Sequence, residues 1–423
     1  MMDLFWGRYG KLFGLLVASA SILIIWAFVV PIYEAPDEPH HWHYAHYLYK
    51  NWNLPLYTQK LVEANSPPLY YLLAAPFASD SVEPKAIVNE QYQSPAPPRW
   101  FDDSSRDIGK YWPIRSARLI SVVISTITVL FCYLLGKEAT GNETTGLLTG
   151  GIVAFLPQFS FRGMNVSNDS LVAMMCAAIT YLIIRLIKRG FTWRLGIIVA
   201  VISALAFLSK TNAIFLPVPL SLAIMTTHGT WEARLKRLSV VLGLAFLIVL
   251  PWLIRNYILY GDPLASRIML TVVANIIDAK PITSPYFLTT FPKYLYMSFV
   301  GMFGWMNLPL FGWLYIFFGL LFGVAALGYI RRMLYHQVDG FLTLILLTFP
   351  ILSLGITIYI NLNFSQPQGR YLFPALGAIA LLVGLGLEGL PFWNKRFTYS
   401  LLAVLMLLNL FIIRTIVVPA YWQ

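Results

Sequence analysis

The sequence predicts an all-α polytopic membrane protein, on three observations. Of 423 residues, 58% are hydrophobic and only 12% charged. Apolar runs of about 20 residues recur along most of the chain, each long enough to cross ~30 Å of hydrocarbon as a helix. Lys and Arg gather in alternate short connections, as cytoplasmic loops do.

Eleven transmembrane helices are expected, near 12–31, 114–136, 145–161, 169–188, 194–208, 212–227, 238–257, 306–330, 341–361, 371–390 and 397–418. The first ends at "VVPIYEAP", which lacks a small-residue cleavage pattern, so it reads as a retained anchor. The turn "SKTN" at 209–212 separates the fifth span from the sixth. With the N-terminus inside, the inner connections hold Lys137, Arg185, Lys188, Arg189, Arg234, Lys236, Arg237, Arg331 and Arg332, among others. The short outer connections then hold only Arg162, Lys210 and Arg370, which orients the chain N-in and C-out.

Two outer segments are long, about 32–113 and 258–305. In the first, "HHWHYAHYLYKNW" and "PPLYYLLAAPF" are too short to span and read as interfacial helices. In the second, "FPKYLYMSFVGMFGWM" has the same character. No internal repeat or appended soluble domain stands out, so residues 1–423 read as one membrane domain. The net charge of +11 is scattered over many short loops, which is a topology signal and excludes a nucleic-acid stripe. Cys132 and Cys176 both fall in apolar runs and read as small buried hydrophobes.

Orientation sorts the polar residues. Asp37, Glu38, Arg162, Asn165, Asn168, Asp169, Lys210, Asn212, Arg255, Asn256, Asp262, Gln366, Gln368 and Arg370 all map to outer ends of spans. Charges at such depth are costly and usually face a partner or a cavity. Pro36 and Pro39 bracket Asp37 and Glu38, which predicts an extended segment followed by a helix from about 39. That helix carries four of the six histidines, His40, His41, His43 and His46, on more than one face. Such placement suits interfacial polar groups, with one or two left to ligate a cation.

The motifs "APDEPHHW", "PPLYYLL", "NVSNDSL", "RNYILYGDPL" and "QGRYLFPAL", in that order and topology, resemble the GT-C superfamily. Its members are membrane glycosyltransferases that use polyprenyl-phosphate-linked sugars, protein O-mannosyltransferases and aminoarabinose transferases among them. The resemblance covers roughly 30–400 and is nearest to a broad prokaryotic branch. It implies an acidic motif on Asp37 and Glu38, a histidine at His41 and a second acid at Asp169. It further implies phosphate-holding cations at Lys210, Arg370 and Arg255, and a divalent metal (magnesium, manganese or zinc) on Glu38 and His41. Ser66 stands before "PPLYY" where relatives often carry a charged residue or histidine.

The implied reaction moves a hexosyl or pentosyl unit to an acceptor hydroxyl on a glycan, lipid or protein, at the extracytoplasmic face of a prokaryotic plasma membrane. The lipid-phosphate leaving group needs positive charge, and the weak hydroxyl nucleophile needs a base, for which Asp37 is the candidate. Single displacement would invert the anomeric centre. Three rivals exist: a transporter, a non-catalytic lipid- or glycan-binding protein, and a ligase or polymerase of lipid-linked glycans. A transporter calls for charges near the bilayer midplane on broken helices, whereas these charges sit at helix ends.

Overall fold

The computed structural model describes residues 2–86, 100–268 and 278–423, with residues 2–9 as backbone alone. Parts of both expected outer segments, 87–99 and 269–277, lie outside the described residues. The helices are α1 (Met2–Val29), α2 (Glu38–Asn51), α3 (Leu69–Ala74), α4 (Trp112–Thr140), α5 (Glu143–Ala154) and α6 (Pro157–Gly163). Next come α7 (Asn168–Arg189), α8 (Trp193–Ser209), α9 (Pro217–Met225), α10 (Trp231–Tyr260) and α11 (Phe291–Val300). The chain closes with α12 (Gly312–Leu334), α13 (Gly340–Asn363), α14 (Leu376–Glu388), α15 (Lys395–Ile412) and α16 (Val418–Trp422). Two short antiparallel strands, Met302–Phe303 and Leu308–Pro309, pair with each other.

Among the described residues, 8 helical segments are long and apolar enough to cross a membrane. They contain α1, α4, α7, α10, α12, α13, α14 and α15. The other three expected spans are shorter or broken. The run 145–161 breaks into α5 and α6 at Leu156, which is extended ahead of Pro157. A proline disfavours helix in the residue before it and suits the first turn of the next. The run 194–208 is α8, and 212–227 is a 3₁₀ turn, Thr211–Phe215, followed by α9. The span expected from 306 begins only at Gly312, because 302–309 forms the hairpin, with left-handed turns at Gly304 and Met306.

The core gathers around α4, which packs against α1, α5 and α7. Small residues let the helices approach closely. A Cβ on Gly136 would lie 2.5 Å from Thr149 Oγ1, and one on Gly146 would lie 2.8 Å from the Tyr133 carbonyl. The expected interfacial helices α2 and α3 form, and they also pack into the bundle. Trp42, Tyr44, Tyr70, Tyr71 and Tyr111 are buried with Ile114 and Ala117 of α4 and Leu171 of α7. Tyr70 Oη and Ser121 Oγ are 2.7 Å apart.

One end of the bundle is organised by Arg118 of α4. Its Nη1 donates to the Ala27 and Val30 carbonyls at 2.9 and 2.6 Å, and its Nη2 to Pro31 at 2.8 Å. These are carbonyls at the close of α1 that have no partner within the helix. The same end receives α11, which rests on Gly369: Ser298 Oγ accepts the Gly369 N–H at 2.8 Å and donates to the Pro367 carbonyl at 3.2 Å. A Cβ on Gly369 would lie 2.2 Å from the Phe299 nitrogen. Gly369→Ala is therefore expected to lower stability by about 1–3 kcal/mol through overpacking, read as a lower melting temperature of the detergent-solubilised protein.

Candidate functional site

Four turns and helix ends bring the charges together. Asp37 lies in the turn between α1 and α2, and Asp169 in the first turn of α7, whose start is capped by Ser167. Lys210 follows α8, and Arg370 opens the 3₁₀ turn Gly369–Ala375 ahead of α14. The segment around Asp37 is not extended, as the flanking prolines suggested. Tyr33 and Asp37 both take left-handed conformations, at φ 69° and 65°. Asp is among the few residues that tolerate this region, and such backbone strain clusters at functional sites. Glu38 already belongs to α2.

Asp37 Oδ2 meets Arg370 Nη2 at 2.5 Å. Asp169 receives Lys210 Nζ at 2.5 Å, Arg162 Nη2 at 2.7 Å and Arg370 Nη1 at 3.6 Å. Arg162 also donates to the Pro36 carbonyl at 3.0 Å, which ties α6 to the Asp37 turn. Asp169, Arg162 and Arg370 are buried, Lys210 is partly so, and Asp37 keeps 26% of its side chain exposed. Three cations thus face two carboxylates, leaving one positive charge over. Arg162 Nε, Arg370 Nε, Asn165 Oδ1 and Asn168 Oδ1 are buried without a hydrogen-bond partner. Buried guanidinium N–H groups with no acceptor are primed for an anion.

Burial works against the Asp37 anion, but Arg370, Arg162 and His41 outweigh it and hold the carboxyl well below the ordinary aspartate range. His41 is buried, and burial keeps its imidazole below its usual value despite neighbouring Glu63, Asp37 and Asp169. Its Nδ1 lies 2.8 Å from Tyr71 Oη and its Nε2 3.4 Å from Ser167 Oγ. Tyr71 Oη donates in turn to Glu63 at 3.4 Å, and Ser66 Oγ to Glu63 at 2.6 Å. His43 and His46 are used structurally: His43 meets Glu83 at 2.5 Å and His46 the Ala78 carbonyl at 2.8 Å.

Glu38 faces away from this cluster. It is fully buried, and Arg118 grips it through Nε at 2.7 Å and Nη2 at 2.6 Å. The Tyr33 and Val166 amides donate to it at 2.8 and 3.3 Å. Arg255 also stands apart: it donates to the Pro55 carbonyl at 2.6 Å and stacks 4.9 Å from the Trp252 ring. Sequence reasoning misses the parts played by Arg162 and Arg118. Arg162 was visible only as one of the outer-end polar residues, and Arg118 lies inside an apolar span.

The metal expected on Glu38 and His41 does not fit these residues. Both Glu38 oxygens are engaged by a guanidinium and amides, and both His41 nitrogens already have hydroxyl neighbours. Among the described residues no group of three or more His, Cys, Asp or Glu could hold an ion.

Residues 96–254 match the family model described as dolichyl-phosphate-mannose-protein mannosyltransferase. Across the whole chain, the structure of ArnT from Cupriavidus metallidurans bound to undecaprenyl phosphate aligns with a TM-score of 0.60 at 10% identity. That alignment covers 98% of this chain and 74% of ArnT. The chain has the GT-C fold. The apo oligosaccharyltransferase of Archaeoglobus fulgidus shares this GT-C architecture with a TM-score of 0.53 at 16% identity, covering 99% of this chain and 56% of that one. The same organism's AglB, in complex with an inhibitory peptide and a dolichol-phosphate, aligns at 0.51 and 15% identity, covering 99% and 55%. The chain therefore spans only about half the length of the archaeal enzymes. No curated protein matches it in sequence. The interval matched by the family model holds Arg118, Arg162, Asp169 and Lys210, while Asp37 and Arg370 of this GT-C chain lie outside it.

Two outcomes follow from these contacts. Glu38→Gln strands a buried Arg118 charge and is expected to cost about 3–5 kcal/mol, seen as a large fall in melting temperature. For Asp37, a depressed folded-state value means stabilisation present above the unfolded value of about 3.9 and lost as pH falls through the folded one. Melting temperatures of wild type and Asp37→Asn should differ at neutral pH and converge as pH drops below about 4.

Proposed function

We propose that the chain is an integral-membrane glycosyltransferase that moves a sugar from a polyprenyl-phosphate donor to an acceptor hydroxyl. The observation that carries this reading is the cluster of Arg162, Lys210 and Arg370 against only two carboxylates, with two guanidinium Nε–H groups unpaired. A phosphate supplies the missing negative charge, and ArnT and AglB are known with undecaprenyl phosphate and dolichol-phosphate respectively. We place the site at the extracytoplasmic face of the membrane, with eleven crossings, N-terminus inside and C-terminus outside, in keeping with the Lys and Arg asymmetry.

The donor phosphate competes with Asp37 for Arg370. As the guanidinium turns to phosphate, Asp37 loses its partner and regains basicity. The acceptor O–H then gives its proton to the Asp37 carboxylate while its oxygen bonds to the anomeric carbon. The bond from that carbon to the phosphate oxygen breaks on the opposite face, its electron pair staying with the phosphate. Lys210, Arg370 and Arg162 stabilise the charge that develops there. Single displacement inverts the anomeric centre. Asp169 holds the three cations in place, and Glu38 and His41 position the Asp37 turn and the start of α7.

The competition between carboxylate and phosphate makes the test specific. Lys210→Ala and Arg370→Ala are expected to weaken undecaprenyl phosphate binding by tenfold or more, roughly the worth of a charged hydrogen bond. Asp37→Asn should abolish sugar transfer yet bind undecaprenyl phosphate at least as tightly as wild type. Weaker binding by Asp37→Asn, or unchanged transfer, would sink this assignment of roles.

A further inference from the structure

A second recess lies beside the cluster. A groove of about 520 Å³ opens between the segment ahead of α11 and residues 365–367. It is lined by the aromatic residues Tyr286 and Tyr294, by the hydroxyl-bearing Thr289, Thr290 and Ser365, and by the cation of Lys280. Lys280 sits 5.2 Å from the Tyr286 ring and pairs with Asp278 at 2.6 Å. One wall is a single π turn, Tyr286–Thr290, which runs into α11. Isolated π turns are rare and occur disproportionately at functional sites.

The groove is wired to the charged cluster. Tyr286 Oη donates to Asn361 Oδ1 at 2.6 Å. Asn361 grips the backbone of Gln366 at both ends, at 2.8 and 3.0 Å. Tyr371 donates to Gln366 Oε1, and the Tyr371 ring lies 5.5 Å from Arg370 and 5.9 Å from Lys210. The bridge from Ser298 to Pro367 and Gly369 fixes α11 directly ahead of Arg370.

A sugar ring has an apolar C–H face and a polar edge of hydroxyls. Aromatic faces interleaved with hydroxyls and one ion pair answer both. An acyl chain would leave those polar groups unanswered, and an extended polypeptide would seek a strand edge, which the lining residues do not supply. We propose that the groove is a saccharide subsite that receives the acceptor, so that the acceptor is a glycan. The proposal rests on the sugar-transfer reading and adds the class of acceptor.

The test uses the full-length protein in lipid nanodiscs with two probe pools. One is fluorescently labelled oligosaccharides released from the source cell's envelope by mild acid, and the other labelled peptides digested from the same envelopes. Oligosaccharides should bind, and Tyr286→Ala should weaken them about tenfold. Lys280→Ala, at a partly exposed position, should weaken them in the same direction. Undecaprenyl phosphate affinity should be unchanged in Lys280→Ala, whose side chain makes no contact with the Asn361–Gln366–Tyr371 relay. Retention of peptides instead, retention of neither pool, or equal oligosaccharide affinity in wild type and variants would overturn the proposal. Undecaprenyl phosphate binding that is indifferent to Lys210→Ala and Arg370→Ala would instead defeat the transfer reading, whatever the groove binds.

Discussion

The buried pair of Arg118 and Glu38 is the contact on which the site depends. One guanidinium answers the carbonyls at the end of α1 and both oxygens of the first residue of α2. Glu38 in turn takes amides from Tyr33 and Val166, which draws the α6–α7 turn to the same point. Ion pairs in so apolar a setting are costly to assemble and costlier to break singly. Asp37 is thereby held in a left-handed turn between two fixed neighbours, its carboxylate aimed at Arg370.

Around that turn the charges are arranged for exchange. Asp169 is surrounded by three cations, while Asp37 has one close partner and the greater exposure. An incoming anion meets its weakest competition at Asp37. On the proposed reading, Lys210, partly exposed after α8, and Arg370, backed by Tyr371, are the cations such an anion would reach. The deeper Arg162 is tied to Pro36 and Asp169, with its Nε–H the donor left over for an anion.

The sequence made much of this legible. Hydropathy located the 8 long apolar helices among the described residues, and the Lys and Arg asymmetry grouped Asp37, Asp169, Lys210 and Arg370, which do meet. The division of labour between Asp37 and Glu38 was not legible. Adjacent carboxylates look alike in sequence, and only the left-handed turn sends them to different partners. Arg118 was hidden because it and Arg115 scarcely alter the hydropathy of a long apolar run, and its partner lies 80 residues away. The histidines of α2 read as interfacial polar groups from local spacing, which cannot show that His43 and His46 meet loop partners some 30–40 residues on. The groove was hidden for a similar reason, since a π turn has no strong local signature.

The most direct measurement is an experimental structure of the full chain with undecaprenyl phosphate in lipid nanodiscs. The account predicts phosphate density between Lys210 and Arg370, within reach of Arg162, with the Arg370 guanidinium turned from Asp37. Phosphate bound elsewhere, with the Asp37–Arg370 pair intact, would contradict it.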